Sequence, residues 1–359
     1  MKNLVSTALV FGLTTTAALA QGWSERNNPS RLGQLDVKLS RLPLAGRVAD
    51  PSLAWPGHHW NHNVGGIAHR WTARDPQNFK YKSPTLAQLK TLTQAEINQL
   101  SPAEKYDIFK RDYRYPTVKR VFTQVSPTAA SWHGICHGYT AAAMNHAEPE
   151  TVVLTNRDGI EVTFYSSDVA GLLAYFYAKD APTKATLVGE RCYVDPDDSQ
   201  LPANRDRCWD MNAGAFHVIV TNRLGLDGES FVADVTRFRE VWNHVAVSYE
   251  STLLAHSAPL ESSAPGTVTR QLVEMNVRYA GAISPKLQPV IGTPAAEYLD
   301  SRYQYWLDID RDGEVVGGEW QDGAQPDFVW IQGAANFKGK WQELSKIYVP
   351  RQDLGPSGE

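Results

Sequence analysis

Three polar side chains stand where chemistry needs them. Cys136 lies in SWHGICHGYTAAAM, behind a glycine and at the mouth of an Ala-rich run that reads as helix. A cysteine there is a buried spacer, a disulfide partner, a metal ligand or a nucleophile, and its surroundings favour the last. A helix start carries partial positive charge, which stabilises a thiolate. The Cys136 amide, unpaired at such a start, is available to a developing oxyanion. Gly134 leaves room there for a substrate backbone. An attacking thiol also needs a base, and the base needs a group to hold it. His217 in GAFHVIVTN and Asp234 in SFVADVTRF are single polar residues in short apolar runs that read as strands. The Asp-Gly in the RLGLDG joint is a turn signal, so the strands are expected to pair antiparallel with the two side chains roughly level. The expected set is Cys136 as nucleophile, His217 as base and Asp234 holding the imidazole. The competing reading of His217 is a core histidine with its hydrogen bonds satisfied.

His133 and His137 flank the thiol in HGICH. A haem motif needs a second cysteine, which is missing, and zinc needs further ligands that the neighbourhood does not offer. His58, His59, His62 and His69 sit in a Trp-, Pro- and Gly-rich stretch without interleaved acids, which reads as an irregular packed lobe.

The elements around these residues follow from caps and periodicity. Thr93 with Glu96, and Ser101 with Pro102 and Glu104, are capping boxes that open short helices. DGIEVTFY alternates as a strand, and SSDVAGLLAYFYAKD is a helix capped by Ser167 or Asp168. VWNHVAVSYES and VTRQLVEMNVRYAG read as further strands.

The chain of 359 residues is long enough for a large core, carries a net charge of −4, and shows no basic run, so no nucleic-acid partner is expected. Residues 1–20, MKNLVSTALVFGLTTTAALA, have the layout of a secretory signal cleaved after Ala20, and no later stretch is apolar enough for a membrane span. A secreted or periplasmic protein is therefore expected. Of the three cysteines, Cys192 and Cys208 bracket a polar loop and are expected to bridge after export, which leaves Cys136 free.

Together these pieces resemble the transglutaminase elicitor family, secreted enzymes of oomycete plant pathogens found also in bacteria. The resemblance rests on GICHGYTAAAM, GAFHVIVTN, SFVADVTRFREVWNHVAVSYES and YWLDIDRDGEVVGGEW, and covers roughly residues 95–345. VWNHVAVSYES is similar to the family's elicitor peptide but lacks its basic residues, so recognition by plant receptors is not implied. His137 stands where animal transglutaminases carry Trp, so their substrate preferences do not transfer. The resemblance implies an α+β fold with a papain-like, transglutaminase-like core, its nucleophile at a helix N-terminus packed on an antiparallel sheet. It implies the triad Cys136, His217 and Asp234. The reaction would join protein glutamine to lysine side chains through a Cys136 thioester. A cysteine hydrolase on the same triad is the alternative, and a catalytically silent binding module is a third reading. The expected organisation is a signal peptide (1–20), a Trp/His-rich lobe (21–92) that could be a removable pro-segment, a catalytic core (93–290) and a C-terminal segment (291–359).

That last segment carries DIDRDGEVVGGE, which fits a twelve-residue calcium loop. Asp308, Asp310, Asp312 and Glu319 would supply carboxylates, and Glu314 its backbone carbonyl. A structural Ca2+ is expected there, on a scaffold whose flanks are unlike an EF-hand.

Overall fold

The computed structural model of the chain describes residues 23–72, 80–191, 211–236, 240–321 and 324–352. The signal-peptide expectation and the Cys192–Cys208 bridge lie outside the described residues.

The strands are β1 (Ala45–Arg47), β2 (Val152–Thr155), β3 (Glu161–Phe164), β4 (Ala185–Gly189), β5 (Val232–Asp234), β6 (Asn243–Ser257), β7 (Thr267–Ala280), β8 (Tyr298–Asp310), β9 (Val315–Trp320) and β10 (Phe328–Gln332). The helices are α1 (Leu86–Leu89), α2 (Gln94–Asn98), α3 (Pro102–Phe109), α4 (Pro116–Phe122), α5 (Cys136–Asn145), α6 (Ser166–Lys179), α7 (Ala213–Val220) and α8 (Leu344–Ile347). Among the described residues, one curled antiparallel sheet runs in the order β4-β10-β5-β6-β7-β8-β9, with β1 added against β6, and β2 and β3 form a separate hairpin. The fold is mixed helix and sheet.

Both capping boxes form as the sequence indicates: Thr93 and Ser101 accept from the amides of Glu96 and Glu104, whose carboxylates reach back. The start of α6 differs. Its cap is Tyr165, and Asp168 reaches back from the first turn to the Tyr165 amide (2.8 Å). Asp168 also takes a buried bond from Lys105 (2.6 Å), so one carboxylate ties α6 to α3.

The largest departure from the sequence reading is AFHVIVTN. It is not a strand but the helix α7, extended by a π-helical turn over residues 221–226. Asn212 caps it, accepting from the amides of Gly214 and Ala215. Every residue of α7 is buried. An apolar octet buried on all sides suits a core helix as well as a strand, and period alone does not separate them. The expected hairpin between His217 and Asp234 therefore does not exist.

α5 packs on α6 and on the β5–β6 part of the sheet, whereas α7 packs on β8 and β9. At the first crossing a Cβ on Gly138 would meet the Ala174 carbonyl oxygen at 2.0 Å, so only glycine fits. The Trp/His-rich lobe is woven into the same core. Trp55 and Trp60 are buried, Tyr139 of α5 donates to the Trp55 carbonyl (2.7 Å), and the Trp55 indole donates to that of His146 (2.9 Å).

Candidate functional site

A cleft of about 600 Å³ opens at the start of α5. One wall is a single face of the sheet, set by strand register. Across β4, β10, β5 and β6, Gly189 pairs with Phe328, Phe328 with Asp234, and Asp234 with Asn243. Directly opposed residues in antiparallel strands share a face, and so do residues two apart. Leu187, Phe328, Trp330 and Asn243 accordingly line the cleft on the same face that carries Asp234. The other wall is the approach to α5, where Trp132, His133, Gly134, Cys136 and His137 are joined by His62.

This wall is zipped to the N-terminal lobe. The Ile135 amide donates to the His59 carbonyl (2.8 Å) and the His62 amide to that of His133 (2.7 Å). A Cβ on Gly134 would lie 2.3 Å from the His59 carbonyl oxygen. Gly134 thus makes room for this chain's own backbone, not for a substrate as the sequence reading expected.

Cys136 is the first residue of α5 and is part-buried at the cleft floor. The Asn243 side-chain amide lies 3.5 Å from its sulfur, and the Val241 carbonyl 4.0 Å. Asn243 is fixed in turn, because its carbonyl accepts from the Trp330 indole (2.8 Å). Burial pushes the Cys136 thiol up from its ordinary value, the amide contacts of Asn243 pull it back, and the Asp234 charge adds to the rise. The resting group is a thiol, and a proton acceptor is needed to make it a nucleophile.

Asp234 is fully buried and near enough for its charge to act on the thiol. Its Oδ1 accepts from the Trp242 amide (2.8 Å) and more weakly from the Thr236 hydroxyl (3.3 Å). Its Oδ2 has no hydrogen-bond partner among the described residues. Burial raises this carboxyl to about 7, against the pull of the Trp242 and Thr236 bonds.

The structure therefore links Cys136 to Asp234 through Asn243, which pairs with Asp234 across β5 and β6 and reaches the sulfur, and it leaves His217 on another element. His217 is buried in α7, with Nδ1 bonded to the Tyr305 hydroxyl of β8 (2.9 Å), and its ring contacts are with Tyr305 rather than with Cys136 or Asn243. Burial alone lowers it to about 3. The core-histidine reading describes its surroundings, since an imidazole on α7 faces β8 and not α5. Trp132 lines the cleft beside His133 and the Arg191 guanidinium, with no hydrogen bond shown from its indole. Asn243 and Trp330 were not singled out by sequence reasoning. For Asn243 the only signal was its place in the elicitor-like segment, and Trp330 had none.

The acidic loop forms the β8–β9 hairpin. Asp308 is buried, its Oδ1 accepting from Arg270 (3.1 Å) and its Oδ2 from the Ala264 amide (2.9 Å). Glu319 takes the other arm of Arg270 (2.7 Å). Asp310 bonds the amides of Asp312 and Glu314, and the Glu314 carbonyl accepts from the Asp310 amide. Among the described residues no three acidic, histidine or cysteine side chains converge as metal ligands. Of the expected calcium ligands Asp308, Asp310, Asp312, Glu314 and Glu319, the first and last are engaged by the Arg270 guanidinium in this arrangement.

The chain is thus a protein of mixed helix and sheet with a cysteine-lined cleft between a helix start and an antiparallel sheet. The family model of the transglutaminase elicitor matches residues 32–265, and the chain belongs to that family. Its fold is similar to the crystal structure of the GP42 transglutaminase from Phytophthora sojae, with a TM-score of 0.65 at 18% identity over 88% of this chain and 94% of that one. No curated protein sequence matches the chain. Among the described residues no helix is long and apolar enough to cross a membrane.

Proposed function

We propose that this protein is an exported acyltransferase that joins protein glutamine to lysine side chains, with Cys136 as nucleophile and Asp234 as its proton acceptor on a papain-like core. The observation that carries the reading is the row Asp234–Asn243 set against the Cys136 sulfur at the floor of an aromatic-walled cleft. Membership of the transglutaminase elicitor family supports acyl transfer as the chemistry.

Asp234 takes the thiol proton as sulfur attacks the glutamine side-chain carbon. The oxyanion is held by the Asn243 side-chain amide and by the Cys136 backbone amide at the start of α5. The protonated Asp234 returns its proton to the departing nitrogen, so ammonia leaves and a thioester remains. An amine then attacks, loses its proton to Asp234, and displaces the sulfur. The walls of Trp132, Phe328 and Trp330 limit access of competing water.

The test is incorporation of a fluorescent primary amine into casein beside a Cys136→Ala control. Cys136-dependent label supports transfer. Ammonia or peptide release without label would make the same site a hydrolase, and silence in every channel would leave a binding module.

A further inference from the structure

A second pocket, of about 200 Å³, lies behind the His59–His62 segment and away from the thiol. Its walls include Trp60, Val64 and Trp71, and two histidines, His58 and His69, are among its lining residues. Each has one ring nitrogen committed. His58 Nδ1 accepts the Trp60 amide (2.9 Å), so it holds a lone pair and the proton sits on Nε2. His69 Nδ1 lies 2.9 Å from the Val64 carbonyl, which only accepts, so this nitrogen carries the proton and the neutral ring keeps a lone pair on Nε2. Burial lowers His58 to about 3 and holds it neutral, and the neighbouring His59 and His69 rings add to that lowering.

The pocket thus offers one donor, one acceptor and apolar aromatic walls. We infer that it is a binding site for a neutral primary carboxamide, whose oxygen accepts from His58 Nε2 and whose nitrogen donates to His69 Nε2. A carboxylate would set an oxygen against the His69 lone pair. A metal would need a lone pair from His58 that its tautomer does not have, and the lining holds no acid to replace it. The volume suits one amide-bearing group rather than a drug-sized molecule. The amide could be that of a glutamine or asparagine side chain in a bound peptide or of a free small molecule.

The test uses Cys136→Ala protein, so that no chemistry at the thiol consumes a probe and the result is independent of the acyltransferase reading. Benzamide, benzoate and N-acetylglutamine methylamide are titrated at pH 8 while the indole N–H resonances are followed by NMR. The expected result is saturable binding of an amide at least tenfold tighter than benzoate, with shifts at Trp60 and Trp71. The stronger of the two amides identifies the source, peptide or free molecule. His69→Phe should erase the preference for amide over acid. The comparison of amide with acid needs no pocket variant, so it stands even where that variant folds poorly. Equal binding of benzoate, no binding of either amide, or shifts confined to Trp132 and Trp330 of the cleft would overturn the assignment.

Discussion

His217 and Asp234 look alike in sequence: one polar residue in a short apolar run. In the fold they differ in what their atoms touch. The α7 region satisfies His217 with the Tyr305 hydroxyl inside a core helix. The β5–β6 corner leaves one oxygen of Asp234 without a partner among the described residues, near enough for its charge to act on the cleft's thiol. Leaving a buried polar atom unpaired costs about 1–3 kcal/mol, so a fold that keeps one calls for an explanation. The unmet hydrogen bond separates Asp234 from His217, but Asp107 of α3 also keeps an unpaired buried oxygen, so the nearby thiol is needed to mark the site.

The comparison can be broken first at the thiol. Cys136→Ala should remove amine transfer by at least about a thousandfold, since among the described residues it is the one thiol lining the cleft. Its melting temperature should stay within a few degrees of the parent. Residual transfer in that variant would move the chemistry elsewhere.

Asp234→Asn should lower kcat/KM by about 10²–10⁴, the usual span for loss of a general base. It should also stabilise the protein at pH 8. An unfolded chain ionises this residue near 3.8 and the fold only near 7. Below 3.8 both states hold the proton. As pH rises through 7 the folded state must bury an anion, and stability is lost by up to about 4 kcal/mol. Asparagine avoids that loss, so a higher melting temperature with lower activity is expected. The parent's activity should rise with pH through about 7. A variant equally active, or less stable at pH 8, would remove Asp234 from the site.

Asn243→Ala should lower kcat by about 10–10²-fold with little change in KM, as expected for a donor felt mainly in the transition state. A change confined to KM would make Asn243 a substrate contact instead.

His217→Phe is the sharpest contrast. Activity should remain within about threefold, while stability at pH 8 falls by about 1 kcal/mol because the Tyr305 hydroxyl loses its bond to the imidazole and keeps only the Met275 sulfur. The acid limb should move the other way. With a folded value near 3 against 6.5 unfolded, His217 contributes stability above 6.5 that is lost as pH falls toward 3. Phenylalanine cannot titrate, so the variant's stability should depend less on acid. A loss of activity matching that of Asp234→Asn would restore the histidine to the catalytic set.

What sequence made legible was local. Capping boxes, the helix start at Cys136, and the strands of VWNHVAVSYES and VTRQLVEMNVRYAG depend on neighbours a few residues away, and they form as read. What escaped was pairing. Asp234 meets Asn243 because of a register across β5 and β6, and Phe328 joins the row from a strand near the end of the chain. The β-branched residues of AFHVIVTN favour a strand by propensity, and tertiary burial outweighed that preference. Gly134 shows the same limit: its small size was legible, but the carbonyl that requires it belongs to His59, far back in the chain.

Asp308 supplies the smallest expected effect and a control for the corner. It is as thoroughly buried an acid as Asp234, yet both its oxygens are bonded, and the cation beside it is Arg270, supplied from β7. The spacing of DIDRDGEVVGGE is that of a calcium loop, but spacing does not reveal a guanidinium arriving from another strand. An ion would have to displace Arg270 from both Asp308 and Glu319, leaving a charge that is itself buried. Melting temperatures measured with calcium and with chelator should therefore agree within about 1 °C, and amine transfer should be the same in both. A rise of several degrees with calcium would show that the hairpin opens to admit the ion. Arg270 would then be its competitor, and the paired acid would be the responsive one of the two.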